Sequence, residues 1–364
     1  MTDDTLHLDL DVRGLAVIVV GGTGEALRRV GALRAAGAIV TVVAPHVVAA
    51  IEDLAQRGQI DWLPRDYLTS DLDDAWLVIA CTRQLRVDAA VAADARRRRT
   101  FCLSAEQPQA RPPARHGRVI IVGGGPGDPG LMTVKGMRAL AESDVVVVDR
   151  LAPLAVLEGL REDVEIVDVS KVPRGRSTPQ EQINHILVDR ARRGSTVVRL
   201  KGGDPYVFGR GMEEVQACTA AGVSVDVIPG VTSAISVPGL AGMPVTHRGI
   251  TQGFTVVSGH VPPNDSRSTL DWGALARSGT TLVVLMGVAT LPAIVAALLD
   301  GGRNARTPLA CVMDGGLSSQ QVATSTLGQV AASGAPHGLA PPAVVVIGEV
   351  VDLASSPSGP SARR

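Results

Sequence analysis

Short apolar runs rich in valine and isoleucine recur along this 364-residue chain, and helical patterns separate many of them. In the first third, such runs occupy residues 15–20, 39–43, 60–63, 76–80 and 100–103. Strands that alternate with helices pair in parallel, because each helix returns the chain to the same end of the sheet. The pattern therefore predicts an α/β fold, with a first domain that covers residues 1–106.

Residues 107–117 interrupt this alternation with a stretch rich in Pro, Ala and Arg that has no apolar period, and we interpret them as a linker. The alternation resumes at residue 118, and the predicted helices become fewer near residue 246. We therefore expect one α/β lobe over residues 118–246 and a second lobe with a more mixed sheet over residues 247–353. The polar tail, residues 354–364, is expected to be disordered.

Charge and composition exclude several classes of function. The formal net charge is −1, from 35 Lys and Arg against 36 Asp and Glu, so no overall field attracts nucleic acid or an anionic membrane. Three Phe, three Trp and two Tyr leave few platforms for stacked bases. No apolar run approaches the roughly 20 residues of a membrane span. The prediction is a protein with neither a nucleic-acid nor a membrane partner.

The four cysteines are widely separated, with no CxxC pair and no Cys/His cluster at zinc spacing. The amino-terminal sequence MTDDTLHLDL has neither the basic start nor the apolar stretch of a signal peptide. We therefore expect a cytoplasmic protein with reduced thiols and without a metal site.

Gly22, Thr23 and Gly24 form a glycine turn between the first strand and the first helix, and this turn is the candidate site for NAD. Backbone N–H groups at a helix start can hold a pyrophosphate, and glycine permits its close approach. Leu27, however, stands where the dinucleotide fingerprint has Gly or Ala, and the second strand ends without an acidic residue for a ribose hydroxyl. A purely structural turn in an unoccupied Rossmann-like domain is the alternative interpretation.

A denser glycine segment, VGGGPGDPG over residues 122–130, follows the first strand of the second α/β unit. It lacks the Gly-Lys-Ser/Thr ending of a phosphate-binding P-loop, so it gives no support to ATP hydrolysis. One or two glycines suffice for a tight turn, whereas this segment indicates a rigid wall that exposes backbone groups to a ligand.

Charged residues follow the next two strands at their carboxyl ends, where open α/β sheets bind ligands. Asp149 and Arg150 follow the first of these strands, and Lys171 and Arg174 follow the second. A carboxylate beside a cation could act as a base, and the cations suit a polyanionic ligand. A surface ion pair and a solvated loop are the structural alternatives.

The most distinctive segment is RLKGGDPYVFGRG over residues 199–211, in which glycines and one Asp accompany three cations that include Lys201 and Arg210. A hydrophobic core explains its Val and Phe but not its charges. Thr232 and Ser233 begin a later helix, where small polar residues can either cap the helix or contact a ligand.

In order along the chain, the segments VGGGPGD, VVDR, VRLKGGDPYVFGRG, PGVTSA and MPVTHRG resemble those of the uroporphyrinogen-III C-methyltransferases, which belong to the tetrapyrrole methylase family. The resemblance covers about residues 118–350. It implies two α/β lobes that bind S-adenosylmethionine (SAM), usually in a homodimer. It also implies two successive methyl transfers to uroporphyrinogen III, which give precorrin-2 for siroheme or cobalamin biosynthesis.

By this resemblance, Asp149 matches the proposed proton acceptor of the family and Lys171 matches its proposed proton donor. The positions that match the SAM contacts of the family are Pro126, Gly202, Gly203, Asp204, Val207, Thr232, Ser233, Met286 and Gly315. The eight carboxylates of uroporphyrinogen require local cations. The candidate substrate partners are Arg150, Arg174, Lys201, Arg210, His247 and Arg248.

Residues 15–108 resemble the amino-terminal domain of siroheme synthase, which carries precorrin-2 dehydrogenase and chelatase activity. Thr23 replaces the third glycine of that motif, residues 82–84 read Thr-Arg-Gln where Thr-Asp-Asp is typical, and Glu106 replaces a catalytic Asp. The long helical segment that usually follows is replaced by the short linker. We therefore predict a degenerate domain with weak or absent dehydrogenase and chelatase activity.

Three alternatives stay open at this point. The chain could be a bifunctional siroheme synthase that also oxidises precorrin-2 with NAD. It could be a methylase of a later precorrin. It could also be a non-catalytic dinucleotide-binding regulator, although that hypothesis leaves the motifs of residues 118–350 unexplained.

Overall fold

The computed structural model describes residues 10–104, 117–170 and 178–354, which form three five-stranded sheets. Each of the five strands of the first sheet lies within one residue of an apolar run predicted above. The predicted α/β fold class is therefore confirmed. The residues that carried predictions but lie outside the described ranges are Glu106, the linker up to residue 116, Lys171, Arg174 and the tail from residue 355.

The first sheet has the order β3-β2-β1-β4-β5, and its neighbouring strands are all parallel. Its strands are β1 (Ala16–Val20), β2 (Ile39–Val43), β3 (Asp61–Leu63), β4 (Leu77–Ala80) and β5 (Phe101–Ser104). Its helices are α1 (Gly24–Ala35), α2 (Ala49–Gln56) and α3 (Leu85–Arg98), with a 3-10 turn at Thr69–Leu72. This is the predicted amino-terminal α/β domain.

The second sheet has the order β10-β6-β9-β7-β8 and is also parallel throughout. Its strands are β6 (Arg118–Gly123), β7 (Val145–Val148), β8 (Glu165–Asp168), β9 (Thr196–Lys201) and β10 (Ser224–Ile228). Its helices are α4 (Val134–Ala141), α5 (Gln180–Arg192) and α6 (Gly211–Ala220), with 3-10 turns at Pro129–Leu131 and Leu154–Gly159. The carboxyl ends of β6, β7 and β9 therefore lie side by side at one edge.

The third sheet has the order β11-β12-β15-β13-β14 and is mixed, as predicted for the second lobe. Within the third sheet, β11 and β12 pair in parallel, and the other described strand pairs are antiparallel. Its strands are β11 (Phe254–Ser258), β12 (Thr281–Leu285), β13 (Pro308–Met313), β14 (Gln321–Thr326) and β15 (Ala343–Ile347). Its helices are α7 (Ser233–Leu240), α8 (Trp272–Arg277), α9 (Leu291–Asp300) and α10 (Leu327–Ser333), with a 3-10 turn at Glu349–Leu353.

Contacts divide the described residues into two compact units, and the first two sheets share one of them. The first unit runs to residue 124 and continues over residues 132–230, while the second comprises residues 125–131 and those from 231 onward. Helix α7 belongs to the second unit because it packs on β12 and β15. The sequence predicts three units with a lobe boundary at residue 246, whereas contacts give two units. The three-unit division stays a prediction.

Helix α1 joins the first two sheets through one hydrophobic core. Leu27 and Val30 of α1 belong to the same buried cluster as Leu154 and Leu157 of the 3-10 turn that follows β7. The helix also packs against β8, which is the edge strand of the second sheet. An edge strand that is covered in this way no longer offers an open row of backbone groups to other chains.

Candidate functional site

Three glycines allow the loops after β6, β9 and β10 to cross in close backbone contact. A Cβ atom on Gly123 would lie 2.5 Å from the nitrogen of Gly230 and 2.7 Å from the oxygen of Gly203. Gly203 also has a φ of +64°, which side chains disfavour. Because no larger residue fits at this crossing, backbone groups rather than side chains line this part of the sheet edge.

A second close approach brings the loop after β7 against the loop after β9. A Cβ atom on Gly202 would lie 2.5 Å from the carbonyl oxygen of Leu151. The two adjacent glycines, Gly202 and Gly203, therefore serve two different backbone contacts. The structure brings both predicted SAM-binding glycines to the carboxyl edge of the second sheet.

Asp204 fixes the shape of the loop after β9. Its Oδ1 atom accepts a hydrogen bond of 2.8 Å from the amide of Tyr206, and its Oδ2 atom accepts one of 3.1 Å from the amide of Gly230. Val207, half-buried, follows in the same loop and donates its amide to the Asp204 carbonyl oxygen. Phe208 has a positive φ of 56°, which is uncommon for a bulky residue and accompanies functional loops.

Asp149 lies directly after β7 at the same edge and keeps part of its carboxylate exposed. Its Oδ2 atom lies 3.1 Å from Nη2 of Arg199, and its Oδ1 atom accepts a hydrogen bond of 3.2 Å from the amide of Leu151. The Asp149 side chain is 26% exposed, whereas the Arg199 side chain is 3% exposed. A rigid, buried cation thus orients a carboxylate that solvent or a ligand can reach.

A buried ion network lies behind Asp149, between β9 and α6. The Oε1 atom of Glu214 lies 3.1 Å from Nε of Arg199 and 3.1 Å from Nζ of Lys201, and the Glu214 side chain is fully buried. Gln180 of α5 donates a further hydrogen bond of 3.2 Å to the same oxygen. Burial lowers the pKa of Lys201, as does the neighbouring Arg199 charge, while Asp149 and Glu214 act in the opposite direction.

This network bears on the prediction that Lys201 contacts the substrate. The Lys201 ammonium is paired inside the protein, because Arg199 and Lys201 project from the same face of β9 toward α6. Sequence reasoning missed the role of Glu214. Two cations at alternate positions of an otherwise apolar strand are a signal that an acidic partner lies on the covering helix.

Two further predicted substrate cations also have carboxylate partners. The Nη1 atom of Arg150 lies 3.4 Å from Oδ1 of Asp53 in α2, and the Arg150 side chain is 15% exposed. Arg210 lies 2.6 Å from Glu213 in an exposed pair one turn apart. The pair between Arg150 and Asp53 joins two elements that are far apart in the sequence, and no motif indicates it.

In the second unit, glycine again permits a tight approach. A Cβ atom on Gly315 would lie 2.4 Å from Cγ1 of Val237 in α7. A Cβ atom on the next residue, Gly316, would lie 3.3 Å from Cγ of Pro126. The structure thus brings the predicted SAM residues Pro126 and Gly315 to neighbouring positions.

The other predicted residues of the second unit lie at element ends. Thr232 caps α7, since its Oγ1 atom accepts a 3.3 Å hydrogen bond from the amide of Ala234, and Ser233 is the first residue of that helix. Met286 directly follows β12, is 50% exposed and has a positive φ of 57°. His247 and Arg248 are exposed in the loop between α7 and β11.

The glycine turn of the first sheet is filled by protein on two sides. A Cβ atom on Gly22 would lie 2.0 Å from the carbonyl oxygen of His46. A Cβ atom on Gly24 would lie 2.4 Å from the carbonyl oxygen of Ile166 in β8. In the dinucleotide fingerprint, the second glycine allows the pyrophosphate to lie close to the backbone. Gly24 occupies that position here, and strand β8 lies close to it instead. The Oγ1 atom of Thr23 is buried and has no hydrogen-bond partner among the described residues.

Within residues 10–104, 117–170 and 178–354, no three His, Cys, Asp or Glu side chains lie together as a metal site. In the same ranges, no helix combines the length and apolar character that crossing a bilayer requires.

Comparison with known proteins adds to this geometry. The model of the Tetrapyrrole (Corrin/Porphyrin) Methylases matches residues 118–331, and a family of NAD(P)-binding domains matches residues 8–111. The chain is 44% identical to the uroporphyrinogen-III C-methyltransferase of Methanocaldococcus jannaschii, over 66% of this chain and 99% of that protein. It is 41% identical to the solved structure of uroporphyrin-III C-methyl transferase from Thermus thermophilus complexed with S-adenyl homocysteine. That match covers 65% of this chain and 100% of the solved one, with a TM-score of 0.55.

Relatives that carry both domains are longer than this chain. The siroheme synthase of Chromobacterium violaceum is 33% identical over an alignment of 446 residues that covers 95% of this chain and 94% of that protein. Because 95% of 364 residues is about 346, about 100 of the 446 aligned positions have no residue here. A missing segment of this size agrees with the short linker. Since one family model matches more than half of the residues, the chain belongs to the tetrapyrrole (corrin/porphyrin) methylases.

Proposed function

We propose that this chain is a SAM-dependent uroporphyrinogen-III C-methyltransferase. It transfers two methyl groups in succession and forms precorrin-2 for siroheme or cobalamin biosynthesis. The observation that supports this best is the Asp149 carboxylate, which Arg199 orients at the sheet edge beside the close-packed glycines Gly202 and Gly203. The 44% identity to a uroporphyrinogen-III C-methyltransferase over 99% of its length supports the same activity.

The reaction requires the protein to align the two reactants and to transfer protons. SAM, when bound, supplies an electrophilic methyl group on its sulfonium. A pyrrole carbon is already nucleophilic, so the site must hold the two reactants in line and take up the proton that the methylated ring releases. Asp149 accepts this proton because its carboxylate is partly exposed and is held in one orientation by Arg199. Lys171 is the candidate proton donor, because it matches the proposed donor of the family.

The residues at the sheet ends fit SAM better than a phosphate ligand. SAM has a carboxylate, a ribose and an adenine, which suit exposed backbone groups and one acidic side chain. The proposed SAM-binding residues are Pro126, Gly202, Gly203, Asp204, Val207, Thr232, Ser233, Met286 and Gly315.

Substrate binding requires cations for the carboxylates of uroporphyrinogen III. We retain Arg174, Arg248 and His247 as candidates. We leave out Lys201, whose ammonium is buried against Glu214. Arg210 would have to leave Glu213 before it could bind a substrate carboxylate.

We also propose that the protein is a cytoplasmic homodimer that binds neither nucleic acid nor membranes. Its near-zero net charge supports the last two statements. Size-exclusion chromatography with light scattering measures the mass in solution, and a monomeric mass would contradict the dimer.

One assay tests the main proposal. Purified protein is incubated with SAM and uroporphyrinogen III, and the tetrapyrrole products are followed by absorbance and mass spectrometry. We expect a mass gain of first one and then two methyl groups. No gain with uroporphyrinogen III, together with methylation of a later precorrin in a parallel reaction, would replace the proposed substrate.

A bifunctional enzyme is the second candidate, because residues 8–111 match NAD(P)-binding domains. We propose instead that the domain is degenerate as a dehydrogenase and chelatase. The close approach of Ile166 to Gly24 supports this, since it occupies the side of the turn that a pyrophosphate would need. Incubation with precorrin-2 and NAD, followed by NADH absorbance, tests the proposal. NADH formation above background would show that the bifunctional alternative is right.

A further inference from the structure

Helix α2 of the amino-terminal domain contacts the loop that follows β7 and the carboxyl end of β8. The amide of Ala50 donates a hydrogen bond of 2.8 Å to Oδ2 of Asp168, the last residue of β8. Three residues further along α2, Oδ1 of Asp53 lies 3.4 Å from Nη1 of Arg150. Arg150 directly follows Asp149, so one short helix is tied to the loop that carries the proposed proton acceptor.

The pair between Asp53 and Arg150 is largely shielded from solvent. Asp53 is 4% exposed, and its other carboxylate oxygen lies 3.6 Å from Nη1 of Arg57 on the same helix. A buried carboxylate that loses its cation is costly, so the pair favours a single position of the Arg150 side chain. Because Arg150 is bonded to Asp149 through the backbone, this position constrains the Asp149 loop.

The contact at Asp168 completes a helix end that α2 cannot complete alone. Val48 occupies the N-cap position of α2 and has no side-chain hydrogen-bond acceptor. Asp168 supplies that acceptor from β8, and its charge also suits the positive end of the helix. The Oδ1 atom of Asp168 accepts a further hydrogen bond of 3.0 Å from the amide of Ser170.

Close backbone contacts along α1 fix the amino-terminal domain against the second sheet. Gly24 and Gly31 lie two helical turns apart on one face of α1. Cβ atoms at these positions would lie 2.4 Å from the Ile166 oxygen and 2.6 Å from the Leu154 oxygen. Contacts this close leave little freedom for α1 to shift, so α2 is presented to the loops on a rigid support.

We propose that Asp53 is a positioning residue for methyl transfer. Asp53 fixes the loop that carries Asp149 by holding Arg150. The amino-terminal domain therefore contributes to methyl transfer through the position of this loop. This inference rests on the proposed function, and it assigns Arg150 to the support of the loop rather than to the substrate.

The test compares Asp53→Asn, Arg150→Gln and the double variant in the full chain, with kcat and both KM values measured for methyl transfer. Misplacement of the acceptor loop lowers kcat, here by on the order of tenfold, while KM for SAM stays unchanged. Because the two side chains act as one pair, the double variant is no slower than the slower single variant. Arg150→Lys, which keeps the charge, retains more kcat than Arg150→Gln.

Glu158→Gln is the matched control. It removes another ion pair between the same two domains, in which the Glu158 carboxylate lies 2.8 Å from Arg29, and Glu158 lies in the 3-10 turn Leu154–Gly159 rather than beside Asp149. We expect its kcat to equal that of the wild type. Additive losses in the double variant would overturn the proposal. So would an Arg150→Gln variant that raises KM for uroporphyrinogen III while Asp53→Asn leaves kcat unchanged.

Hydrogen exchange separates this inference from the proposed activity. The amides of Leu151 and Ala152 donate to Oδ1 and to the backbone oxygen of Asp149, so they report on the loop without substrate. We expect faster exchange at these amides in Asp53→Asn but not in Glu158→Gln. Unchanged exchange would overturn the positioning role. A wild-type chain that fails to methylate uroporphyrinogen III would instead contradict the proposed function alone.

Discussion

Nη2 of Arg199 lies 3.1 Å from Oδ2 of Asp149, so a cation buried within the sheet holds a carboxylate that is open to solvent. The same guanidinium donates from Nε to Glu214, and its Nη1 atom donates to the carbonyl oxygens of Val147 and Leu200. A planar group with this many fixed partners cannot rotate freely. The orientation of Asp149 is therefore set by the interior of the protein.

Asp149→Asn tests the proton-transfer role directly. The amide keeps the shape of the side chain but cannot take up a proton at neutral pH. We expect turnover to fall by about 10²-fold or more, with little change in SAM affinity. Methyl-transfer kinetics and calorimetric titration with SAM measure the two effects. An unchanged rate would remove Asp149 from the proton-transfer role.

Arg199→Gln tests the buried network. The substitution leaves Glu214 fully buried with Lys201 as its remaining cation, so we expect a loss of about 3 kcal/mol in the free energy of unfolding. Arg190→Gln is the control, because its pair with Glu165 is partly exposed and contributes about 1 kcal/mol or less. Chemical denaturation gives both values. Equal losses would mean that the network contributes no more than a surface pair.

Gly123→Ala tests the crossing of the three loops. The added Cβ atom would lie 2.5 Å from the Gly230 nitrogen, so the backbone must shift. We expect a clear loss of stability, on the order of 2 kcal/mol, together with weaker SAM binding. Gly159→Ala is the control, because a Cβ atom there meets no heavy atom within 4 Å. Similar behaviour of the two variants would contradict a steric requirement for glycine.

Asp94 gives a pH-dependent prediction. A hydrogen bond from Thr69 lowers its pKa below the usual 3.8, and Tyr67 and Arg97 act in the same direction. The folded protein therefore gains stability from the ionised carboxylate above about pH 4 and loses it as the pH falls through the lowered pKa.

Asp94→Asn removes this contribution. We expect its deficit in unfolding free energy relative to wild type to shrink between about pH 5 and about pH 3. Urea denaturation at the two pH values measures the deficit. A deficit that stays constant with pH would show that ionisation of Asp94 does not contribute to stability.

The cysteines are expected to differ in reactivity. Burial raises the pKa of Cys81 and of Cys311 to about 12 and that of Cys218 to about 11. Cys102 lies half-buried on edge strand β5, and its pKa is raised less. Since the thiolate is the reactive form, alkylation followed by mass spectrometry should label Cys102 first. All four should react in guanidinium chloride, and native labelling of Cys81 before Cys102 would contradict the prediction.

Strand positions were predictable because a strand that is buried on both faces appears in the sequence as an uninterrupted run of apolar residues. Strand β7 consists of four valines, and each is buried. The ends of such strands then locate Asp149 and Gly202 at the carboxyl edge. Parallel order brings residues from distant parts of the chain to that edge, so a large part of the candidate site follows from the strands alone.

Side-chain partners were not predictable in the same way. Lys201 looks like a substrate cation in the sequence, yet the structure pairs it with Glu214. Whether a strand residue faces a covering helix or the open end depends on packing that local sequence does not record. The pair of Asp53 and Arg150 is separated by 97 residues and carries no motif. Its existence depends on how two domains pack together.

The glycine face of α1 also bears on why the amino-terminal domain persists. The buried cluster that contains Leu27 also contains residues of both parallel sheets, so these sheets should melt in a single cooperative transition. A substitution that loosens the first sheet would then lower the amount of active methyltransferase in the cell. Natural selection on methyl transfer therefore acts on the whole first unit, including the sheet of the amino-terminal domain.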